Sequence, residues 1–175
     1  MENILTTFII IALILFAVLT TFHGYMQAQE TLRVGWQEVQ TRMGDQIHTD
    51  LTPLTAVTQS SGAIVELVLR NDGDTRLLDF HTWDVIVQYY TAPGDYKVEW
   101  ITPITGEPAK GEWSVIGLYS DAAAAAPEFY EPGILNPGEE ILIRLRLLPP
   151  VGPNTTNLVN ITTHNGVGTS IQFSR

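Results

Sequence analysis

Residues 4–22 read ILTTFIIIALILFAVLTTF, a run of 19 residues that contains no charged residue, glycine or proline. A helix needs about 20 apolar residues to cross a bilayer, so this segment is predicted to be a helix buried in lipid or in an apolar protein core. A cleaved secretory signal begins with basic residues, whereas the only charged residue before this run is Glu2. We therefore expect the run to be retained in the working protein.

The helical pattern continues beyond the apolar run. Apolar residues recur at helical spacing as far as Ile47, which predicts one helix of about 45 residues, apolar all round in its first half and amphipathic in its second. We assign residues 1–50 to this helix. Gly24 marks either a bend or a small residue that lets helices approach closely, and both alternatives stay open. The candidate residues for burial in lipid or in an apolar core of packed helices are Ile4, Phe8, Ile11, Leu15 and Phe22, and those for helix packing in the second half are Leu32, Trp36, Val39, Met43 and Ile47.

The periodicity changes after Pro53. We interpret residues 51–61, which include the Thr- and Ser-rich stretch TAVTQSS, as a linker, and residues 62–175 as one all-β domain. Alternating patterns and β-branched or aromatic composition predict about eight short strands. They are GAIVELVLR at 62–70, TRLLDF at 75–80, WDVIVQYY at 83–90, YKVEWI at 96–101, WSVIGLY at 113–119, EEILIRLRLL at 139–148, NLVNITT at 157–163 and VGTSIQFS at 167–174.

Turn residues separate these segments. Combinations of Gly, Pro, Asn and Asp reverse the chain, and Asn165-Gly166 between two strand-like runs is the strongest hairpin signal. Short antiparallel strands without intervening helices favour an immunoglobulin-like β-sandwich. The predicted fold class is therefore α+β, a long N-terminal hydrophobic helix followed by that sandwich. The low-complexity segment DAAAAAPEFYEPG at 121–133 is expected to be a surface loop.

The charge balance limits the class of partner. The chain has 9 Lys and Arg residues against 19 Asp and Glu residues, a formal net charge of -10. Because phosphate binding requires a basic surface, we exclude nucleic acid as a partner. The absence of cysteine removes disulfides, thiolate metal sites and cysteine nucleophiles. The β-domain must therefore be held together by its hydrophobic core.

The sequence contains no arrangement of residues that is typical of catalysis. The histidines His23, His48, His81 and His164 lie far apart and form no metal-binding motif. Aspartates at positions 72, 74, 79 and 84 are compatible with a calcium site or a solvated turn, and we favour the turn because the other positions of a calcium loop are missing. We predict that the protein is not an enzyme and has no catalytic, cofactor-binding or metal-binding residues.

Two features concern the surface and the core of the β-domain. N-glycosylation sequons occur at Asn154 (NTT) and Asn160 (NIT), and the apolar helix favours the outward orientation that glycosylation requires. A cytoplasmic domain would exclude this modification. Trp83 and Trp113 lie in strand patterns and are expected in the core, whereas Trp36 is expected to pack between helices.

The order of an apolar helix, an amphipathic extension and a β-domain resembles the type IV pilin superfamily. Within it, the β-domain is more similar to archaellum proteins, meaning archaellins and their small stator relatives, than to bacterial pilins. This resemblance rests on LRNDGDTRL at 69–77, LNPGEEI at 135–141 and TTHNGVGTS at 162–170. Bacterial pilins usually carry a glutamate at the fifth mature position, where this chain has Leu5, and a basic leader is absent. The missing leader would be explained if the sequence is numbered from its mature residue, Met1. It would also be explained if the helix is an uncleaved anchor.

The resemblance implies a structural subunit of an extracellular helical filament, used for motility or adhesion. The subunit would enter the membrane before assembly and then polymerise with copies of itself through its N-terminal helix, with the help of filament assembly machinery. By analogy with pilins, Glu2 would neutralise the terminal amine of a neighbouring subunit. The alternative is a membrane-anchored stator or interaction module whose β-sandwich binds a cell-surface layer or a filament.

Overall fold

A computed structural model describes residues 2–128 and 130–175 of the chain, apart from the Glu2 side chain. The chain forms two compact units, Met1–Gly44 and Asp45–Arg175, which we call the helical unit and the β unit. The helix α1 runs from Glu2 to Ile47, so its last residues belong to the β unit. Its 46 residues confirm the predicted length, and it continues without interruption through Gly24.

The β unit is built from short strands joined by tight turns. Two 3₁₀ turns, Ser60–Gly62 and Phe80–Thr82, interrupt the succession of strands. The strands are β1 (Leu51–Gln59), β2 (Ile64–Asn71), β3 (Asp84–Tyr90), β4 (Tyr96–Pro103), β5 (Glu112–Asp121), β6 (Ala126–Pro127), β7 (Glu140–Arg146), β8 (Thr156–Thr162) and β9 (Gly168–Ser174).

The strands form two antiparallel layers. One layer has the order β1-β2-β7-β5, with β6 beside β5, and the other has the order β4-β3-β8-β9. A short parallel contact between β4 and β5, at Thr102 and Pro103, joins the layers on one side. On the other side the Thr58 hydroxyl of β1 donates to the Ser174 carbonyl of β9 at 3.1 Å. The predicted α+β class, a long N-terminal helix followed by an all-β sandwich, is confirmed.

The core lies between the two layers and follows from the alternation of each strand. Alternate residues of β2 and β7 are directly paired and fully buried, as in the pairs Val65–Leu145 and Leu67–Ile143. Trp83 and Trp113 are each only 1% exposed, so the prediction that both fill the core is confirmed. Burying such side chains is the main stabilising contribution in a domain without disulfides.

Two sequence predictions about local structure are wrong. The expected linker at 51–61 contains strand β1, which pairs with β2 over its whole length and bulges between Pro53 and Thr55. Threonine is a good strand former and proline is tolerated at a bulge, so the Thr-rich composition is compatible with a strand. The expected strand at 75–80 is absent from the described residues, where Leu77 makes one bridge to Leu135 and Asp79 adopts a left-handed conformation.

The predicted hairpin at Asn165-Gly166 is confirmed. It joins β8 to β9 in an antiparallel pair, and Gly166 has a φ of 87°, a conformation that glycine adopts without strain. In the expected loop at 121–133, residues Ala126 and Pro127 form the two-residue strand β6 against β5.

Candidate assembly site

The first half of α1 presents an exposed apolar surface. Every large apolar residue from Ile4 to Phe22 is at least half exposed, and the helix is long and apolar enough to cross a bilayer. Soluble monomers rarely expose a continuous apolar patch of more than about 600 Å². This surface therefore requires lipid or other helices to cover it. The predicted contact residues share one face of the helix by their spacing, and they are Ile4, Phe8, Ile11, Leu15 and Phe22.

Threonines in this half satisfy their hydroxyl groups within the helix. Thr20 donates to the Phe16 carbonyl at 2.7 Å, and Thr21 donates to the Ala17 carbonyl at 2.8 Å. An unpaired hydroxyl is costly in hydrocarbon, and these bonds remove that cost. The threonines are therefore compatible with burial in lipid or in an apolar core.

The second half of α1 combines an apolar stripe with charged residues that pair along the helix. Arg33 contacts Glu30 at 3.0 Å, and Arg42 contacts Glu38 at 3.6 Å. Gly35 lies in a shallow apolar groove beside the stripe, where a small residue lets another backbone approach closely. The stripe therefore suits contact with a second protein surface. It consists of Leu32, Trp36, Val39, Met43 and Ile47, all of them exposed.

Hydrogen bonds within the β unit hold the chain where α1 ends. The His48 carbonyl accepts from the backbone N–H of Asp74 at 2.8 Å. Gln46 Nε2 donates to the Asn165 carbonyl at 2.7 Å, and Asn165 Nδ2 donates to Thr49 Oγ1 at 2.7 Å. Two turns of the β unit, one after β2 and one between β8 and β9, therefore contact the exit from the helix.

Asn71 connects the turn after β2 to the segment before β7. Its side chain is fully buried, and its Nδ2 donates to the Thr75 carbonyl at 2.8 Å and to the Leu135 carbonyl at 3.1 Å. Its Oδ1 accepts from the Gly73 N–H at 3.2 Å. Segments 69–77, 135–141 and 162–170, which carry the archaellum resemblance, therefore come together at the end of the β unit where α1 ends.

The sequence assigns Asn165 to a hairpin turn, but it predicts no long-range contact for Asn71, Gly73 or Asn165. A signal was present, because Asn71 and Asn165 each stand one or two residues before a glycine in a turn. Asparagine in such a position often bonds to nearby backbone groups. The sequence could not indicate that these asparagines also reach residues far away along the chain.

Replacing Gly73 with alanine is expected to destabilise the β unit by about 2 kcal/mol. An added Cβ would lie 2.4 Å from the His48 carbonyl oxygen and 2.5 Å from the Asp50 nitrogen, both backbone atoms that must move. The matched control is Gly168→Ala, whose Cβ would meet Thr162 Oγ1 at an ordinary 3.5 Å. Denaturant unfolding of the full chain in detergent measures both, and equal midpoints for the two variants would contradict the prediction.

The aspartates near residue 72 form a charge-paired turn. The Asp72 carboxylate accepts from Arg70 Nε at 2.6 Å and from Arg70 Nη2 at 3.2 Å. The Arg70 guanidinium thereby lowers the pKa of Asp72. Among residues 2–128 and 130–175, no group of three or more His, Asp or Glu side chains is placed to hold a metal ion.

The remaining candidate residues occupy different environments. Asn154 lies in an exposed turn before β8, with a φ of 58°. Asn160 is half-buried in the middle of β8. Met1 and the Glu2 side chain fall outside the described part of the chain, so the predicted charge contact of Glu2 remains a proposal.

No protein-family model matches the chain, and no curated protein matches its sequence. Solved structures match its fold. The archaellum periplasmic stator protein FlaG from Sulfolobus acidocaldarius is 21% identical, with a TM-score of 0.52 over 71% of this chain and 99% of that chain. In the archaellum periplasmic stator complex of FlaF and FlaG from the same organism, a chain is 21% identical, with a TM-score of 0.51 over 70% of this chain and 87% of that chain.

A filament also matches. The archaeal flagellum of Methanospirillum hungatei strain JF1 is 13% identical, with a TM-score of 0.52 over 94% of this chain and 89% of that chain. Because α1 provides 46 of the 175 residues, a match over 94% of the chain must include most of the helix. The predicted resemblance to archaellum proteins is therefore confirmed at the level of the fold.

Proposed function

We propose that this protein is a structural subunit of an extracellular helical filament of the archaellum type, used for motility or adhesion. The observation that carries this proposal is the apolar stripe of α1, which continues from Leu32 to Ile47 beyond the length that a bilayer requires. A simple tether would need no such extension. The match to an archaeal flagellum over most of the helix supports the same conclusion.

In the proposed mechanism, the N-terminal helix exchanges contacts with lipid for contacts with other helices during assembly. Lipid covers the residues from Ile4 to Phe22 before assembly, and helices of other copies replace lipid when the filament assembly machinery extracts the subunit. Identical subunits that contact each other through different surfaces build a helix when the contacts do not close into a ring. The β unit would then lie on the outside, and Glu2 would meet the terminal amine of a neighbour inside the core. No cofactor and no catalytic step are involved.

A membrane-anchored stator is the second candidate. The observation that favours it is the match to the fold of FlaG, which extends over 71% of this chain and 99% of that chain. In this alternative, the helix would remain in the membrane and the β unit would bind a cell-surface layer or another filament.

Immunogold electron microscopy separates the two candidates. An antibody to the β unit is applied to material gently sheared from intact cells. Continuous label along thin filaments is the expected result. Label on cell envelopes together with bare filaments would overturn the filament proposal and favour the stator.

We also propose that Asn154 is glycosylated in preference to Asn160. An oligosaccharide requires an exposed acceptor, and Asn154 lies in an exposed turn, whereas the side chain of Asn160 is half-buried on a strand. Intact-mass spectrometry of protein purified from its native host is expected to show loss of a glycan in Asn154→Gln and an unchanged mass increment in Asn160→Gln. An unmodified wild-type protein would contradict this prediction.

A further inference from the structure

The outer face of β3 and β4 exposes a row of large side chains. Tyr96, Val98 and Trp100 point outward from β4, and Val98 is 58% exposed. The rings of Tyr90 and Tyr96 lie 5.1 Å apart, which extends the row onto β3. Aromatic residues on an exposed strand are typical of interaction surfaces.

The same strand has an open edge. Along Tyr96–Ile101, β4 pairs with β3 on one side, and its pairing with β5 is limited to Thr102 and Pro103. The Thr102 N–H donates to the Gly111 carbonyl at 3.0 Å, so it points away from β3. Because backbone groups alternate in direction along a strand, those of Tyr96, Val98 and Trp100 point the same way. Within residues 2–128 and 130–175, no strand pairs with that stretch of edge.

The open segment is complementary to itself. It reads Tyr-Lys-Val-Glu-Trp from 96 to 100, with Val98 at its centre. In an antiparallel pair of two such segments centred on Val98, each Lys97 faces a Glu99 and each Tyr96 faces a Trp100. Opposite charges and aromatic pairs across neighbouring strands are stabilising, whereas a parallel arrangement or a shift by one residue loses both matches.

The side chains of Lys97 and Glu99 already form an ion pair on β4 within one chain. Lys97 Nζ lies 3.0 Å from Glu99 Oε1 within one chain, and both side chains are about one-third exposed. Glu99 also accepts from the hydroxyl of Tyr89 on the neighbouring strand β3 at 3.0 Å, which fixes the position of its carboxylate. A second copy would add an opposite charge to each of these groups.

We propose that β4 pairs with β4 of a second copy of this chain, antiparallel and with two-fold symmetry about Val98. The pairing forms about six backbone hydrogen bonds, from the edge-facing groups of Tyr96, Val98 and Trp100. It continues the β4-β3-β8-β9 layer across two subunits and covers an edge that otherwise invites non-specific pairing. A two-fold contact is complete with two copies, whereas the contacts proposed for α1 can add further copies without limit. The pairing of β4 therefore does not depend on the filament proposal.

Cysteine cross-linking tests the contact, since the chain has no cysteine of its own. In the proposed pair, the two Val98 Cα atoms lie about 5.5 Å apart, within the range that a disulfide spans. The Val98→Cys variant of the full chain in detergent, mildly oxidised, is expected to give at least about tenfold more disulfide dimer than Val57→Cys. Val57 on β1 is the matched control because it is 53% exposed and is also a strand valine.

The register has its own test. A mixture of the Tyr96→Cys and Trp100→Cys variants is expected to cross-link, whereas each variant alone does not, because position 96 faces position 100 of the other copy. Cross-linking of Tyr96→Cys alone to the same extent as the mixture would overturn the proposed register.

Charge reversal tests whether the partner of β4 is a second copy of this chain. Lys97→Glu places like charges opposite Glu99 at two positions and is expected to weaken association by about tenfold or more, measured by sedimentation in detergent. The double variant Lys97→Glu with Glu99→Lys restores opposite charges and is expected to recover association. A double variant that melts like the wild type but stays monomeric would overturn the proposal. So would equal dimer yields for Val98→Cys and Val57→Cys, or a Val98→Cys adduct in native membranes with a different protein.

Discussion

Replacing Trp36 with aspartate is expected to abolish filament assembly while the β unit stays folded. Trp36 is 67% exposed and belongs to the apolar stripe of α1. In an assembled core, a carboxylate at this position would be buried without a partner, at a cost of several kcal/mol for each of many identical subunits. The fold of the β unit does not include this residue, because the unit begins at Asp45.

Filament yield measured by electron microscopy of sheared material checks this prediction, and circular dichroism of the extracted protein reports the fold of the β unit. Thr41→Asp is the matched control, because it introduces the same charge about 140° around the helix from Trp36. Trp36→Phe is expected to assemble, since it keeps a large apolar side chain. Normal filaments from Trp36→Asp would contradict the role of the stripe.

Replacing Asn71 with alanine is expected to lower the free energy of unfolding of the β unit by about 3 kcal/mol. The amide makes three hydrogen bonds in a fully buried site, to Thr75, Leu135 and Gly73. Alanine leaves the buried Leu135 carbonyl, the half-buried Thr75 carbonyl and the Gly73 N–H without this partner. Asn71→Asp preserves the shape but presents acceptors to both carbonyl oxygens, so it is expected to destabilise at least as much.

Denaturant unfolding of the full chain in detergent measures this loss, with fluorescence of the buried Trp83 and Trp113 as the probe. Asn160→Ala is the control, because its half-buried side chain on β8 takes no part in the Asn71 hydrogen bonds. We expect the control to change stability by less than about 1 kcal/mol. An Asn71→Ala midpoint equal to that of Asn160→Ala would show that the buried amide does not connect the two segments.

The helix and most strands could be predicted because their signals are local. The apolar run at 4–22 and the spacing from Leu32 to Ile47 each report one element, whatever the rest of the chain does. Strands such as β2 and β3 alternate strictly, and alternation is a property of one segment. Strand β1 was missed because its Thr-rich sequence has little apolar alternation, and its pairing with β2 supplies the stabilisation that composition does not reveal.

In the candidate assembly site too, only the residues with a local sequence signal were predictable. Exposed apolar residues on α1 were predictable from hydropathy, because no charged residue interrupts the run and the excess of apolar surface has to be covered. Asn71, Gly73 and Asn165 were not predictable, because their roles depend on segments that meet only after folding. A turn asparagine that bonds locally and one that also bonds Leu135, 64 residues away, have the same local sequence.

The amino-acid sequence was sufficient to establish a long apolar helix, an acidic all-β domain and the positions of most of its turns, since hydropathy, charge and turn chemistry act over a few residues. Tertiary structure was needed to show that three turn-rich segments meet where α1 ends, and that β4 keeps an open edge. Both depend on which strands pair, and pairing is chosen by the burial of the whole core. The self-complementary pattern at 96–100 can direct strand pairing between two copies only because the fold leaves that edge of β4 free.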